Sequence, residues 1–189
     1  FTNALTLADA SVTLSGGDKL SQDGLVMNVQ LNIIDANKIR YATTLATIQD
    51  NTYLVFGGDA IDDMRGNAVV AAVAETSALK VKKLTADTSP PKLVSLGMNM
   101  NTGVITLSYD EVIEITSISL TAFTLIDDTT LISFPLTGGT ANQLTTTSLT
   151  ITLTTDDLNQ VKALPLCTKV GAGADCLIIH SGASIADTM

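Results

Sequence analysis

The sequence predicts an all-β protein built as tandem antiparallel β-sandwiches with one short helix per repeat. Three observations predict it. Apolar and polar residues alternate in short runs, glycine-rich turn signals separate the runs, and one residue pattern returns 122 positions further on.

The strands follow in chain order. Met27, Val29 and Leu31 alternate with Asn28, Gln30 and Asn32, the period of a strand with one wet face. Apolar stretches at 52–56, 68–74 and 79–84 read as further strands. Leu96, Met98 and Met100 alternate with Gly97 and Asn99, and Ile105, Leu107 and Tyr109 with Thr106 and Ser108. Leu149, Ile151 and Leu153 alternate with Thr150, Thr152 and Thr154, while 122–126 and 176–179 complete the set. Threonine suits the outward positions because its β-branch favours extended backbone and its hydroxyl stays hydrated. Gly16-Gly17, Gly57-Gly58, Asn101-Thr102-Gly103 and Gly138-Gly139 mark the turns. Short antiparallel strands at this spacing point to a sandwich, not a parallel sheet.

Each repeat is expected to carry one short helix. In the second, Thr154 or Thr155 caps it, Asp156 and Asp157 stand in its first turn, Leu158, Val161 and Leu164 share a face, and Pro165 stops it. In the first, Asp35 is the expected cap, with Ala36, Ile39 and Ala42 on the matching face.

The repeat defines the organisation. A shift of 122 lays Phe1-Thr2 on Phe123-Thr124, Leu14-Ser15-Gly16-Gly17 on Leu136-Thr137-Gly138-Gly139, and Met27 to Leu31 on Leu149 to Leu153. It pairs Asp35 with Asp157 and Asn37 with Asn159, and nine of the first forty pairs are identical, in order, which chance similarity of Thr-rich sequence explains poorly. Small gaps then place Ile61-Asp62-Asp63 on Ile185-Ala186-Asp187. The expected division is a first repeat at 1–84, a Pro-rich linker at 85–91 and a second repeat at 92–189. The first repeat lacks the N-terminal part of the pattern and the second its C-terminal part. The chain is therefore expected to be a window cut from a longer tandem array. Pro90 and Pro91 fix two φ angles and remove two ladder donors, so the linker is expected to be stiff and extended.

These elements carry a resemblance. Asp87-Thr88-Ser89-Pro90-Pro91 leads to Leu93-Val94-Ser95, then to Thr102-Gly103-Val104-Ile105-Thr106-Leu107-Ser108-Tyr109-Asp110-Glu111-Val112, then to Phe123-Thr124-Leu125; the first copy closes with Asp63-Met64-Arg65-Gly66-Asn67. The layout resembles the Ig-like repeats of bacterial surface-layer and adhesin-type proteins. With the Leu-Thr-Gly-Gly turn, the Thr-rich strand at 149–153 and the Asp-Asp-Leu-Asn helix start, it is similar to arrays in giant algal and protist surface proteins. Those arrays include mastigoneme proteins and the related sexually induced proteins. The resemblance covers most of the chain and implies Ig-like sandwiches on a cell surface or in an extracellular filament. Met64-Arg65 departs from the small residues usual in the closing motif.

Composition excludes several classes. Ten Lys+Arg against nineteen Asp+Glu give a net charge of -9, which cannot replace the counterions of a nucleic acid or dock on an anionic membrane. No apolar run approaches the roughly 20 residues of a membrane span. No Gly-x-Ser-x-Gly elbow, P-loop or His-Glu-x-x-His helix occurs, and Gly171-Ala172-Gly173-Ala174 reads as a loop without the setting of a dinucleotide site. The pairs Asp62-Asp63, Asp127-Asp128 and Asp156-Asp157 read as turn and helix-start residues, and His180 as a surface residue following a strand. No enzyme is expected.

Cys167 and Cys176 enclose eight residues, 168–175, where the first copy has Leu45 and then Tyr53 or Leu54. They read as a disulfide of an oxidising compartment or as two buried thiols. His180 alone cannot complete a zinc site with them. Asp63, Asn67, Asp87 and Glu111, with Asp110 beside it, also have two readings. Oxygen ligands from a domain end, a linker and the next domain would suit an interdomain Ca²⁺; the same residues serve turns and linkers through their own hydrogen bonds. Thr145, Thr146 and Thr147 are candidate glycan attachment points, and no Asn-x-Ser/Thr sequon occurs. Two functions remain: a stiff structural module of an extracellular filament, partnered by neighbouring repeats and other copies in a fibre, or an adhesin that binds glycan or protein. Seven Phe and Tyr residues in all favour the first, because binding surfaces concentrate aromatics.

Overall fold

The computed structural model describes residues 10–169, 176–180 and 185–187. Two units divide between Thr88 and Ser89. Strands in several antiparallel sheets dominate, with two α-helices among the described residues.

In the first unit β1 (Gly17–Lys19) pairs antiparallel with β2 (Val29–Leu31), and helix α1 (Ile33–Tyr41) follows at once. A 3₁₀ turn, Gln49–Asn51, leads to β3 (Tyr53–Leu54), which pairs with β4 (Leu79–Lys80). Between them stand only the isolated bridges Phe56↔Ala72 and Asp62↔Ala68, so the strands expected at 68–74 and 79–84 are shorter than the apolar pattern suggested. The reason is a local turn. Ser77 N donates to Val73 O at 2.9 Å, Val73 N donates to Ser77 Oγ at 2.9 Å, and Glu75 sits at φ 68, which ends the extended run. Among its described residues, Leu45 is the large apolar side chain this unit buries completely.

The second unit has a fuller core. Strand β5 (Leu93–Asn99) pairs with β6 (Val104–Tyr109), and a short β7 (Ile113–Glu114) follows. Next come β8 (Phe123–Asp127), β9 (Ser133–Pro135), β10 (Thr140–Thr145), β11 (Ser148–Thr152) and helix α2 (Thr155–Ala163). The last two strands are β12 (Cys176–His180) and β13 (Ala186–Asp187). The sheets run β10-β11-β6-β5 and β12-β8-β9, with β13 paired to β7. Alternation along β6 buries Ile105, Leu107 and Tyr109; β11 adds Leu149 and Ile151, and β8 adds Phe123 and Leu125. Both sheets thus supply one core, closed by Leu136, Val161 of α2 and Leu166. Tyr109 Oη is buried there without a hydrogen-bond partner, and burial pushes its pKa up to about 12.

The two units share a substructure residue for residue. Asp18↔Gln30 and Lys19↔Val29 in one hairpin correspond, 122 positions on, to Thr140↔Thr152 and Ala141↔Ile151 in the other. Glycine precedes each pair for a steric reason. A Cβ on Gly139 would stand 2.5 Å from Thr152 O, and one on Gly17 would run into Gln30 O. Both helices span nine residues at the same offset. The cap of α2 is Thr154, whose Oγ1 accepts from Asp157 N at 3.0 Å. The cap of α1 is Asn32, not Asp35, and its Oδ1 accepts from Asp35 N at 2.7 Å.

Asp35 is therefore the third helical residue, and its carboxylate turns back to the strand side. It accepts from Ser15 N at 2.5 Å, Ser15 Oγ at 2.9 Å and Gly16 N at 3.3 Å. Asp157 does the same, accepting from Thr137 N at 2.9 Å and Thr137 Oγ1 at 2.7 Å. Both carboxylates are fully buried. Loss of water opposes the charge on Asp35, yet the Ser15, Lys38 and Gly16 donors together hold its pKa below the ordinary value. After the helices the offset changes to 121: Leu45 and Leu166 are the buried pair, and Ala46 and Cys167 both sit at φ 58. The sequence match of Leu45 with Cys167 is thereby corrected by one residue, because the second post-helix turn is one residue shorter.

Asp157→Ala leaves Thr137 N and Oγ1 without their acceptor, so it is expected to lower the stability of the second unit by about 3 kcal/mol. Asp156→Ala, at the exposed neighbour, is expected to cost less than about 1 kcal/mol. Denaturant melts of the two variants check the difference, and equal losses would contradict the buried tie.

Candidate functional site

The closing motif of the first unit is a self-contained loop. Asp63 Oδ1 accepts from Arg65 N at 2.8 Å and Asn67 N at 2.9 Å, and Asp63 Oδ2 accepts from Asn67 Nδ2 at 2.8 Å. Gly66, at φ 82, makes the left-handed step, and its N–H donates to Asp63 O at 3.0 Å. These donors, Asn67 foremost, hold the Asp63 carboxyl below its ordinary pKa. Both oxygens of the first proposed calcium ligand thus already face N–H groups.

The other proposed ligands stand each within its own unit. Asp87 Oδ2 accepts from Arg40 Nε of α1 at 2.9 Å. Glu111 is buried in the second unit. Asp110 Oδ1 accepts from Lys92 N at 2.8 Å, and Asp110 N returns a bond to Lys92 O at 3.0 Å, closing the start of β5 onto the end of β6. Among the described residues no group of three or more His, Cys, Asp or Glu converges as a metal site.

The paired acids serve local structure. Asp127 Oδ1 accepts from Thr129 N at 3.0 Å, Thr130 N at 2.6 Å and Thr130 Oγ1 at 2.9 Å, which shapes the β8–β9 turn. Asp62 belongs to the isolated bridge, and Asp157 is the helix tie. His180 is the last residue of β12, not one beyond it; half-buried, its ring lies 5.8 Å from that of Phe123 at 47°. Thr145 ends β10, and Thr146 and Thr147 form the turn to β11. The Thr145 hydroxyl is shared with Ser148 Oγ at 2.7 Å, while Thr146 is exposed.

Cys167 and Cys176 form a disulfide. It joins the segment after α2 to the start of β12, beside the core that both cysteines partly enter. Of the eight enclosed residues, 170–175 lie outside the described residues, and with them Gly171 to Ala174; the same holds for Phe1 and Thr2. Among the described residues no helix is long and apolar enough to cross a membrane.

Sequence reasoning missed one feature. A hollow of about 540 Å³ opens in the first unit between residues 22–27 and 61–64, walled by Leu25, Val26, Met27, Ile61 and Met64. All five are exposed, and of them only Met27 stood in the alternating pattern that the sequence read as a strand.

Two measurements follow from this geometry. Reducing the disulfide, or replacing Cys167 and Cys176 by Ser, is expected to lower the second unit's stability by about 2–3 kcal/mol, read by denaturant melt with and without reductant. The Asp63 loop is tied by the ionised carboxylate, so it holds above the ordinary pKa of 3.8 and loosens as the pH falls through the lower folded value. An NMR titration of the Arg65 and Asn67 amides is expected to give a midpoint below 3.8, and a midpoint at or above it would remove the tie. Compared with known proteins, the chain matches no family model, no curated protein and no solved structure.

Proposed function

We propose that this chain is a structural repeat module of an extracellular filament or cell-surface appendage, a stiff length of tandem immunoglobulin-like sandwiches similar to those of mastigoneme-type arrays. The observation that carries the reading is the hairpin, buried Asp and nine-residue helix built twice at one offset. Repetition of a supersecondary unit is how chains extend in one dimension.

The strand order supports the immunoglobulin-like part. Lettered along the chain, β5, β6, β8, β9, β10, β11 and β12 are A, B, C, C′, D, E and F, and the sheets read D-E-B-A and F-C-C′. Helix α2 between E and F, and β13 paired with β7, are departures from that plan. The disulfide suits an oxidising exterior. Pro90 and Pro91 fix two φ angles of the connector and remove two backbone donors. That favours stiffness over a hinge, with neighbouring repeats and other copies as partners.

The adhesin reading has less support. Among the described aromatic residues only Tyr41 is exposed, whereas Tyr109 and Phe123 are spent in the core. Immunogold labelling of the native assembly with an antibody to this chain is expected to mark a fibre at regular axial intervals. Labelled particles without a fibre, together with saturable binding on a glycan array, would overturn the scaffold reading in favour of adhesion.

A further inference from the structure

Among the described residues, the first unit leaves unpaired a strand edge that the second unit covers. In the second unit β11 is a central strand, with β10 on one edge and β6 on the other in the register Leu149↔Leu107 and Ile151↔Ile105. Its equivalent, β2, pairs with β1 alone among the described residues. Burial follows the pairing. Leu149 and Ile151 are 0% exposed, and the equivalent Met27 and Val29 are 48% and 50% exposed. In the second unit Leu153 N donates to Gly103 O at 2.9 Å and Thr147 O accepts from Tyr109 N at 2.8 Å, and the equivalents of Leu153 and Thr147 are Leu31 and Leu25.

The hollow beside this edge matches the same missing neighbour. In the second unit β7 lies between two segments, with Ile113 N donating to Thr146 O at 3.1 Å and Ile113 paired with Asp187. The equivalents of Thr146 and Asp187 are Gly24 and Asp63, and both line the hollow of the first unit. Among the described residues, a strand edge without a second neighbour and a largely apolar slot, lined also by Lys19, Asp23, Asp62 and Asp63, correspond to where β6 and β7 run in the other copy.

We infer that the first unit binds, by strand addition along β2 and insertion into the hollow, a segment of the same sequence type as residues 92–114. Residues 1–189 contain one such segment, and the second unit uses it. The occupant is a hairpin of this sequence type, as the second unit pairs it. It is recognised by main-chain bonds to β2 and by apolar side chains at alternate positions, with a β-branched or aliphatic residue in the Ile113 place. The inference rests on the equivalence of the two units and not on the filament reading, so either can fail alone.

A synthetic peptide of residues 92–114, added to the full chain, is expected to bind saturably and to slow amide exchange at Met27, Val29 and Leu31 by at least about tenfold. Exchange at Leu149 and Ile151 is expected to stay unchanged, and a peptide with Ile105→Asp and Leu107→Asp to be inert. No protection in the first unit, or protection confined to the second, would overturn the inference. A second arm does not depend on peptide solubility. Phe1 falls on Phe123, so a copy of residues 92–122 joined directly ahead of Phe1 is expected to protect the same three amides, and unaltered exchange there would overturn it equally.

Discussion

A buried carboxylate at the third position of a helix fixes the local architecture of this chain. Asp35 and Asp157 each gather a backbone N–H and a hydroxyl from the residue that precedes a Gly-Gly turn, and each lies within one turn of its helix start. A buried charge is tolerable only when its oxygens are satisfied, so the helix, the turn and the hairpin between them cannot be placed independently. The Gly-Gly turn brings the donors in, the hairpin of fixed register returns the chain, and Asn32 or Thr154 sets the first helical turn so that the carboxylate meets them.

The same constraint explains why two stretches of different composition build the same object. Asn, Gln and Asp surround the first hairpin and threonines the second, yet the registers agree residue for residue. What differs is the surroundings. The second hairpin lies against β6 and contributes to a core of a dozen buried side chains, whereas the first leaves its apolar positions wet. Hydrophobic burial therefore does not specify the motif by itself; the polar tie and the two glycines hold the geometry in both environments.

Much of this was legible in the sequence, and the failures have physical causes. Period-2 alternation located β6 and β11 because both are covered on one face, and Pro165 with Thr154 bounded α2. The same alternation in β2 named the right strand but the wrong exposure, since a period says which residues share a face and not whether anything covers it. Asn32 and Asp35 are both good caps three residues apart, and only the reciprocal bond to Asp35 N decides between them. The run from Ala68 to Ala74 has strand composition but finds only isolated bridges, because the turn at Glu75 redirects the chain. Of the residues grouped by type as ion ligands, Asp63 accepts from Asn67, and Asp87 accepts from Arg40, bonds that sequence spacing does not reveal.

The pairing of Arg40 with Asp87 has a mechanical consequence. A pull applied to the chain at the connector does not first reach β4, the strand nearest in sequence; it is delivered across the guanidinium to α1. Helix α1 is itself moored at its other end by Asp35 to Ser15, so tension passes on to the segment that leads into the β1–β2 hairpin. A partly buried ion pair thus stands in the line of load ahead of that hairpin.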